Sequence, residues 1–528
     1  MDEIRNDQKA QIQNKAANAV MIIMVMTMLT KVLGFVREMA IASRFGAGIE
    51  SDAYKIALMV PAILYASIES ILVTTFIPVF VGTEQENRQR LMNNLITAVV
   101  LVGTALMILG MIFAPTIIAL TAPGFPKQGS DMAISLIRVM FPIVIFMGLS
   151  SLSAAYLQAH HHFLAPAVMA IPNNLLTIGT LFLLGFTGVY GLAIATVAGV
   201  LLQVVLQVPY MRKYGFSYKF EFNLNDPGLR RIGQLAVPVL LGTMVSQVNS
   251  LVDKILASTL MSGNLSALDY ANKINGMVLA IFATSVVVVS YPQLSRLSAE
   301  GKFREFAQFF RKSLQLVFFI TFPMMIGLML LNVPVIRLLF ERGAFTRDDT
   351  HLTATALFFY SIGIPAAGLR EVLNKTFYSL QDTKTPMLNG VVAVLINIAL
   401  NLILIRYLAI AGVALSTALS AIISTLMLFW HLRNKMGNYF THTAIASFLK
   451  TMVASAVMGG TIYFLEHQIF MAGADHSMLM LSGKLVLEVL IGISIFVLVA
   501  WMVRSDELTA GFHMITEKLQ KRRGNMKT

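Results

Sequence analysis

The sequence predicts an all-α polytopic membrane protein with about fourteen transmembrane helices, which form two repeated six-helix bundles and two further C-terminal helices. Two observations support this prediction. The chain of 528 residues is 56% hydrophobic and only 13% charged, and its mean hydropathy is +0.73. A soluble domain does not need so much apolar surface, whereas a bundle in a bilayer has lipid on one side and protein on the other. Short motifs also recur in the same order roughly 214 to 223 residues later.

The recurring motifs indicate a duplicated bundle. Pro115–Phe125 (PTIIALTAPGF) returns as Pro334–Phe345 (PVIRLLFERGAF), and Gly191–Thr196 (GLAIAT) returns as Gly412–Thr417 (GVALST). Shorter matches pair Gly48 with Gly263, Tyr54 with Tyr270, Pro78 with Pro292, and Leu157–Gln158 with Leu380–Gln381. Two repeated bundles in a membrane are typical of secondary transporters, which expose a central site to each face in turn.

The apolar segments give the order of the elements, because each is long enough to cross about 30 Å of hydrocarbon at about 1.5 Å per residue. We place them at 17–43, 53–81, 91–121, 132–159, 163–186, 190–211, 232–261, 267–295, 308–340, 349–379, 386–407, 411–432, 444–466 and 478–503. The predicted domains are a first bundle (1–211), a linker (212–231), a second bundle (232–435), two extra helices (436–503) and a basic tail (504–528).

The net charge of +13 is concentrated in alternate loops. By the positive-inside rule these loops and both termini are cytoplasmic, and the tail Lys518–Lys527 is expected to contact anionic lipid headgroups rather than nucleic acid. The absence of cysteine excludes disulfides and thiolate metal sites. No Walker loop, serine–histidine pair or paired carboxylate points to an enzyme, so the composition favours a transporter.

Ionisable residues inside the predicted spans are the first candidates for a substrate site, because charge is costly in a bilayer. They lie in the first, second and eighth segments: Lys31, Arg37, Glu38, Asp52, Glu69 and Lys273. A bend at Gly34 would bring the charges of the first segment to one cavity. We interpret the set as a cationic cavity for an anionic group. The alternative is structural ion pairs, or side chains that extend to the membrane interface.

A second polar group lies in segments seven, eleven and twelve. It consists of Asp253, Asn397, Asn401, Val413 and Thr417, and the asparagines are four residues apart on one helix face. A carboxylate, two amide oxygens, a hydroxyl and a carbonyl make a hard-oxygen set suited to a sodium ion. Interhelical hydrogen bonding, worth about 0.6 kcal/mol per contact in membranes, explains the same residues equally well.

Five motifs carry a resemblance to a known family. They are Leu33–Glu38 (LGFVRE), Phe45–Gly48 (FGAG), Ser51–Tyr54 (SDAY), Phe340–Phe345 (FERGAF) and Gln381–Pro386 (QDTKTP). In this order they resemble the MurJ (MviN) lipid II flippases, and the likeness covers nearly the whole chain. The resemblance implies the superfamily of multidrug and oligosaccharidyl-lipid exporters. It also implies a V-shaped cavity that moves the undecaprenyl-pyrophosphate-linked peptidoglycan precursor from the inner to the outer leaflet.

The resemblance also implies roles for particular residues. Lys31, Arg37 and Lys273 match cavity arginines that meet the pyrophosphate, although two of the three are lysine, which keeps the charge but loses the bidentate fork. Asp52 matches an important family aspartate, and Tyr65 and Ala66 stand in place of a family arginine pair in the second helix. The family's sodium site matches the second polar group, which favours sodium over simple hydrogen bonding. The two extra helices match a groove for the lipid tail.

The expected partners follow from the same resemblance. They are the lipid II substrate, anionic membrane lipids and, as a further candidate, cell-wall synthesis proteins. We expect a monomer in the bacterial cytoplasmic membrane that binds no nucleic acid and requires no cofactor, with a sodium ion as the candidate bound ion. The competing functions are a multidrug/cation antiporter, a flippase for another polyprenyl-linked glycan and, from another class, a membrane scaffold for cell-wall enzymes. The scaffold would leave the charges of the first helix unexplained.

Overall fold

The structure of this chain, a computed structural model, describes residues 2–437, 442–470 and 478–508. Every regular element in these ranges is a helix, which confirms the all-α fold class. The predicted contact of Lys518–Lys527 with lipid headgroups lies outside the described residues. The chain divides into two compact units: Met1–Ser266 with Arg342–Phe345, and Ala267–Glu341 with Thr346–Thr528.

The first unit contains eleven helices. They are α1 (Asp2–Phe45), α2 (Ile49–Ile71), α3 (Ile77–Gly82), α4 (Gln85–Ile112), α5 (Ala114–Thr121), α6 (Lys127–Met140), α7 (Ile143–Ala159), α8 (Leu164–Val168), α9 (Ala170–Leu183), α10 (Gly188–Lys213) and α11 (Pro227–Ser258). A core of Phe76, Phe80, Leu91 and Leu152 joins α3, α4 and α7. Within the predicted linker, α11 begins at Pro227, and the Asp226 side chain caps it by accepting the Leu229 N–H at 2.9 Å.

The second unit contains nine helices. They are α12 (Asn264–Val278), whose first residues belong to the first unit, α13 (Thr284–Ala299), α14 (Phe303–Leu330), α15 (Asn332–Phe340), α16 (Arg347–Ser361), α17 (Ile364–Ser379), α18 (Lys384–Met436), α19 (His442–Phe464) and α20 (Met478–Met502). One core joins α13, α14, α17 and α18 around Phe306, Phe310 and Phe377. Another packs α19 and α20 against α14 and α15.

The internal irregularities repeat between the two halves of the chain. A π-helical segment follows α2 (Leu72–Phe76), and another follows α12 (Leu279–Ala283). The axes of α6 and α7 meet at 40°, and those of α16 and α17 meet at 45°. The two bends recur at the spacing of the sequence repeat, which supports the duplication, whereas the π-helical segments begin at Leu72 and Leu279, closer together than that spacing.

The GLAIAT and GVALST motifs each follow a residue with positive φ by three positions. Gly188 has φ 60° and ψ −153°, and Ala409 has φ 47° and ψ −123°. Ala409 therefore divides the 53-residue α18 into two helices. This pair of motifs was aligned correctly. Alanine lacks the freedom of glycine in this region, so the second repeat is strained where the first is not.

The pairing of Leu157–Gln158 with Leu380–Gln381 was wrong by three residues. The left-handed residue after α7 is His161, with φ 59°, and the left-handed residue after α17 is Gln381, also with φ 59°. Leu157 and Gln158 lie inside α7, whereas Leu380 and Gln381 lie beyond the end of α17. The two-letter identity was accidental, because the turn fixes the structural equivalence.

Nine helical segments among the described residues are long and apolar enough to cross a membrane, or eleven if each bent pair counts as one span. One of the nine is α18, whose 53 residues would extend about 80 Å without the break at Ala409. The helices α1 and α11, with 44 and 32 residues, are also long enough by length. The chain is a multi-pass membrane protein, and the count of fourteen spans stays a prediction.

The predicted second bundle begins at residue 232, but α11 belongs to the first compact unit because it packs against α2, α3 and α5. Sequence repetition and compactness describe different properties of the chain. The predicted domain boundaries therefore stay a prediction.

Candidate functional site

Asp52 lies at the start of α2 and is buried, with 1% of its surface exposed. Its Oδ2 accepts the Gly263 N–H at 2.6 Å, and its Oδ1 accepts the Ser266 N–H at 2.8 Å. The carboxylate thus caps the first turn of α12, where unpaired N–H groups and the helix dipole favour negative charge. The Lys55 ammonium donates to the Ser266 carbonyl at 3.2 Å beside it. Asp52 therefore fixes this turn, and a direct contact with substrate stays a prediction.

Two glycines allow the backbone to approach closely around the same corner. A Cβ on Gly263, which has φ 95°, would lie 2.2 Å from the Ala47 carbonyl oxygen. A Cβ on Gly343, which has φ 60°, would lie 2.2 Å from the Ser43 carbonyl oxygen, and that oxygen accepts the Ala344 N–H at 2.8 Å. The FGAG, SDAY and FERGAF motifs therefore meet at one corner, which joins the end of α1 to the start of α2.

Arg37 and Glu38 form an ion pair on α1. The Arg37 Nη2 lies 2.9 Å from the Glu38 Oε1, and the Arg37 side chain is 25% exposed while that of Glu38 is 7% exposed. Lys31, two turns earlier, is exposed. The helix runs without a break from Asp2 to Phe45, and the expected bend at Gly34 stays a prediction. Glu38 therefore holds the guanidinium in place and leaves part of Arg37 accessible.

The remaining predicted substrate residues lie in different surroundings. Glu69 is exposed on α2, and the Tyr65 hydroxyl is within hydrogen-bonding reach of it. In the second unit, the Lys273 Nζ lies 3.6 Å from the Asp269 Oδ2, four residues earlier on α12. Each of the two predicted repeats thus places a basic residue beside a carboxylate. A common substrate site for these residues stays a prediction.

Four of the five predicted sodium ligands form one network in the second unit. The Asn397 Nδ2 donates to the Thr417 Oγ1 at 3.3 Å, and the Asn401 Nδ2 donates to the Asn397 Oδ1 at 2.9 Å. The Thr417 hydroxyl donates to the Val413 carbonyl at 3.2 Å. The asparagines are at most 1% exposed. The fifth residue, Asp253, lies on α11 in the first unit and is half-buried.

The QDTKTP motif forms the turn before α18. The Asp382 carboxylate accepts the Thr385 N–H at 3.0 Å and the Thr385 hydroxyl at 2.8 Å, and it pairs with the Lys435 Nζ at 2.8 Å. Burial acts to raise the pKa of Asp382, but the ion pair and hydrogen bonds outweigh it and lower that pKa to about 2. This motif ties the two ends of α18 together, so its role is structural.

The comparisons with known proteins agree with the motifs. The family model described as lipid II flippase MurJ matches residues 41–483. The chain belongs to the MurJ family.

Two relatives described as probable lipid II flippase MurJ illustrate how far the MurJ similarity extends. The protein of Rhizobium tropici is 30% identical over 518 residues, which cover 94% of this chain and 95% of that relative. The protein of Vibrio cholerae serotype O1 is 30% identical over 459 residues, which cover 84% of this chain and 87% of that relative. A MurJ resemblance carried by five short motifs is therefore confirmed along 94% of the chain.

Solved structures give the same result for the fold. A lipid II flippase MurJ in an inward closed conformation matches with a TM-score of 0.80 and 27% identity, covering 92% of this chain and 99% of that chain. An inward-facing multidrug transporter of the MATE family matches with a TM-score of 0.68 and 12% identity, covering 79% of this chain and 98% of that chain. The second match shows the fold alone.

Sequence reasoning missed the capping role of Asp52. Its partners at Gly263 and Ser266 are more than 200 residues away, so no local capping pattern reveals them. The repeat did contain a usable signal, because it paired Gly48 with Gly263, and those loops contact each other in the first unit. Lys31, Arg37 and Glu38 precede the segment matched by the MurJ family model, which begins at residue 41.

Proposed function

We propose that this chain flips lipid II from the inner to the outer leaflet of the bacterial cytoplasmic membrane by alternating access. The observation that carries the proposal is its similarity to lipid II flippases over 94% of its length. The duplicated bundle supports the mechanism, since two similar halves supply two packings of comparable energy. The protein is then a transporter and not an enzyme.

A multidrug/cation antiporter is less well supported. The MATE transporter shares the fold at only 12% identity, so it lends no support to a shared substrate. A cation exporter would also need an acidic cavity, whereas Lys31, Arg37 and Lys273 supply positive charge within membrane-spanning helices. These residues suit an anionic group such as a pyrophosphate.

Within this proposal Arg37 contacts the pyrophosphate, and Glu38 orients Arg37. Lys31 and Lys273 add positive charge, while Glu69 and Asp269 limit the net charge of the site. Asp52 acts indirectly, because both of its carboxylate oxygens accept backbone hydrogen bonds. This division of roles rests on the partly exposed guanidinium of Arg37 and on the burial of the Glu38 and Asp52 carboxylates.

Sodium binding by Asp253, Asn397, Asn401, Val413 and Thr417 is also part of the proposal. The donor set fits a small hard cation, because the network of the second unit offers amide, hydroxyl and carbonyl oxygens. Binding would exchange the Asn401–Asn397 and Thr417–Val413 hydrogen bonds for contacts with the ion. The charge of Asp253 would offset the dehydration of that ion.

The sodium proposal has a direct thermal test. Sodium chloride should raise the melting temperature of the wild-type protein above its value in choline chloride, because ligand bound only to the folded state stabilises it. Asp253→Asn should lose this difference. The matched control is Asn389→Ala in the first part of α18, which removes a buried hydrogen bond to Ser424 outside the predicted set. Equal melting in both salts for the wild type would contradict sodium binding.

The proposed topology places both termini in the cytoplasm. The helices α19 and α20 would accommodate the lipid tail, and the basic tail would contact anionic lipids. Cell-wall synthesis proteins are candidate partners of a monomeric flippase, and no role for nucleic acid is proposed.

Complementation tests the function and the site together. A bacterium depleted of its own MurJ should grow when this chain is expressed. Arg37→Ala should abolish growth at normal membrane levels, and Arg37→Lys should restore it in part, because the charge remains without the fork. Glu38→Gln keeps the shape of the partner and should be tolerated better than Arg37→Ala. Failure of the wild-type chain to complement would contradict the function. An equal loss of growth in Arg37→Ala and Glu38→Gln would indicate that Arg37 acts only through its structural ion pair with Glu38.

A further inference from the structure

The C-terminal helix pair contains a buried carboxyl group that the proposed transport mechanism does not use. One face of α20 is buried, and it is formed by Leu481, Leu485, Glu488, Gly492, Phe496 and Ala500. Glu488 is the one ionisable residue in this set and is 0% exposed. It lies one turn before Gly492, where a Cβ would lie 3.0 Å from Ile462 of α19. The carboxyl group is therefore in an apolar contact between two membrane-spanning helices.

Lys484 shares its positive charge unequally between two acids. Its Nζ lies 2.6 Å from the Oε2 of Glu466, in the π-helical segment after α19, but 3.9 Å from the Oε1 of Glu488. Lys484 is 12% exposed and Glu466 is 23% exposed. The lysine is therefore positioned as the counter-ion of Glu466, and Glu488 receives only a weak contact.

Glu488 also has no hydrogen bond within the described part of the chain. Neither of its carboxylate oxygens has a hydrogen-bonding partner there, although both are buried. A buried carboxylate without donors would cost several kcal/mol in an apolar site. If both acids were ionised, the three residues would also carry one net negative charge. A proton on Glu488 removes both the buried charge and the net negative charge, because Glu488 and the three residues together are then neutral.

Within the ranges that the structure describes, the neighbouring elements supply no other charge suited to neutralising Glu488. On α15, Arg337 pairs with Glu341 at 3.3 Å, and beside Glu466 the His467 Nδ1 is 3.1 Å from the Tyr463 carbonyl oxygen. On α14 the charged residues lie within its first ten positions, as Arg304, Glu305, Arg311 and Lys312. It is Phe319, farther along α14, that meets Phe496 of α20, with ring centroids 5.0 Å apart. Lys450 of α19 donates to the Arg504 carbonyl, near the other end of the helix pair.

We propose that Glu466, Lys484 and Glu488 form a proton-binding site inside the C-terminal helix pair, in which Glu488 holds the proton and Lys484 is the counter-ion of Glu466. Binding converts the Glu488 carboxylate into a carboxylic acid and consumes one proton from the solvent. Release of that proton places an uncompensated charge in the contact between α19 and α20. The packing of this pair should therefore weaken as the pH rises.

Infrared spectroscopy tests the bound proton directly on the full-length protein in detergent. At neutral pH the wild type should show the carbonyl band of a buried carboxylic acid, and Glu488→Gln should lack it. Glu466→Gln removes the acid nearest to Lys484 and the negative charge beside Glu488, so Glu488 can ionise and the band should disappear there too. Glu341→Gln, which changes an acid already paired with Arg337, should keep it. The site is refuted if the wild type lacks the band or if Glu488→Gln retains it.

Thermal melting tests whether the packing of α19 and α20 weakens as the pH rises. The melting temperature of the wild type should fall from mildly acidic to mildly alkaline buffer more steeply than that of Glu488→Gln, because the folded state binds a proton that the variant cannot bind. Equal slopes would overturn the proposal. The proposal would also be overturned if sodium at constant pH raised the melting temperature of the wild type but not that of Glu488→Gln, because the three residues would then bind a metal cation. These outcomes do not depend on lipid II transport, so they can fail or succeed separately from the flippase function.

Discussion

Asp52, near the start of α2, and Glu488, in the middle of α20, are both buried carboxyl groups of membrane-spanning helices, but their surroundings are opposite. Asp52 accepts hydrogen bonds from two backbone N–H groups, whereas Glu488 has no hydrogen bond from the described residues. Its Oε1 lies 3.9 Å from the Lys484 Nζ. The two N–H donors favour the charged form of Asp52 against the effect of burial, whereas Glu488 lacks such donors among the described residues. Burial of an acid in a membrane protein therefore does not reveal its role until its donors are known.

The largest expected effect is that of Asp52→Asn. Each hydrogen bond to a charged group contributes about 1.5 to 3 kcal/mol, and the amide cannot accept from both N–H groups. We expect a loss of about 3 kcal/mol in unfolding free energy and a loss of complementation. Asp131→Asn, at an exposed position on α6, is the control and should melt like the wild type. By contrast, Glu488→Gln should lower the unfolding free energy little at alkaline pH. A decrease as large as that of Asp52→Asn would contradict the difference between the two sites.

The next effect concerns the glycines around the Asp52 corner. Gly263→Ala and Gly343→Ala each place a methyl group 2.2 Å from a backbone oxygen at positive φ, so each should cost about 2 kcal/mol or more. Gly276→Ala on α12 is the matched control, because its methyl group meets no described atom within 4 Å and alanine favours helix. Melting of the three variants should separate the first two from the third. An unchanged melting temperature for Gly263→Ala would mean that the corner is not closely packed.

The sequence was informative where the physical signal is local. It located the helix breaks before Gly191 and Gly412 as gaps between apolar segments, and it placed Asn397 and Asn401 on one helix face, because each signal depends on residues a few positions apart. It could not predict the cap at Asp52, since the partners are brought together only by the fold. The rule that selected Lys31 and Asp52 also applied to Lys484 and Glu488, but only the structure shows that the donors of Glu488 are missing.

A smaller effect separates the two repeats. Ala409→Gly should stabilise the protein by about 1 kcal/mol, because glycine adopts this positive φ without the backbone strain that alanine has there. Gly188→Ala should lower the stability by a similar amount through backbone strain alone, since its methyl group would meet no described atom within 4 Å. Thermal melting of the two variants should show shifts of opposite sign. Shifts of the same sign would contradict the equivalence of these two positions.

The smallest effect is expected at Asp382. Its pKa is lowered from 3.8 to about 2, so its contribution to stability is present above about pH 4 and is lost as the pH falls toward 2. Because Lys435 is 46% exposed, solvent screening limits the ion pair to about 1 kcal/mol or less. Asp382→Asn should therefore lower the melting temperature slightly at neutral pH and not at all near pH 2. A larger loss near pH 2 than at pH 7 would contradict the ion pair.

The central claim is transport of lipid II, and its most direct measurement is the amount of lipid II in the outer leaflet of living cells. Cells that depend on this chain are treated from outside with an enzyme that cleaves lipid II, and the cleaved product is quantified. The account predicts abundant product with the wild-type chain and strongly reduced product with Arg37→Ala at equal membrane levels. The same low product from cells expressing either the wild-type chain or no flippase would contradict it.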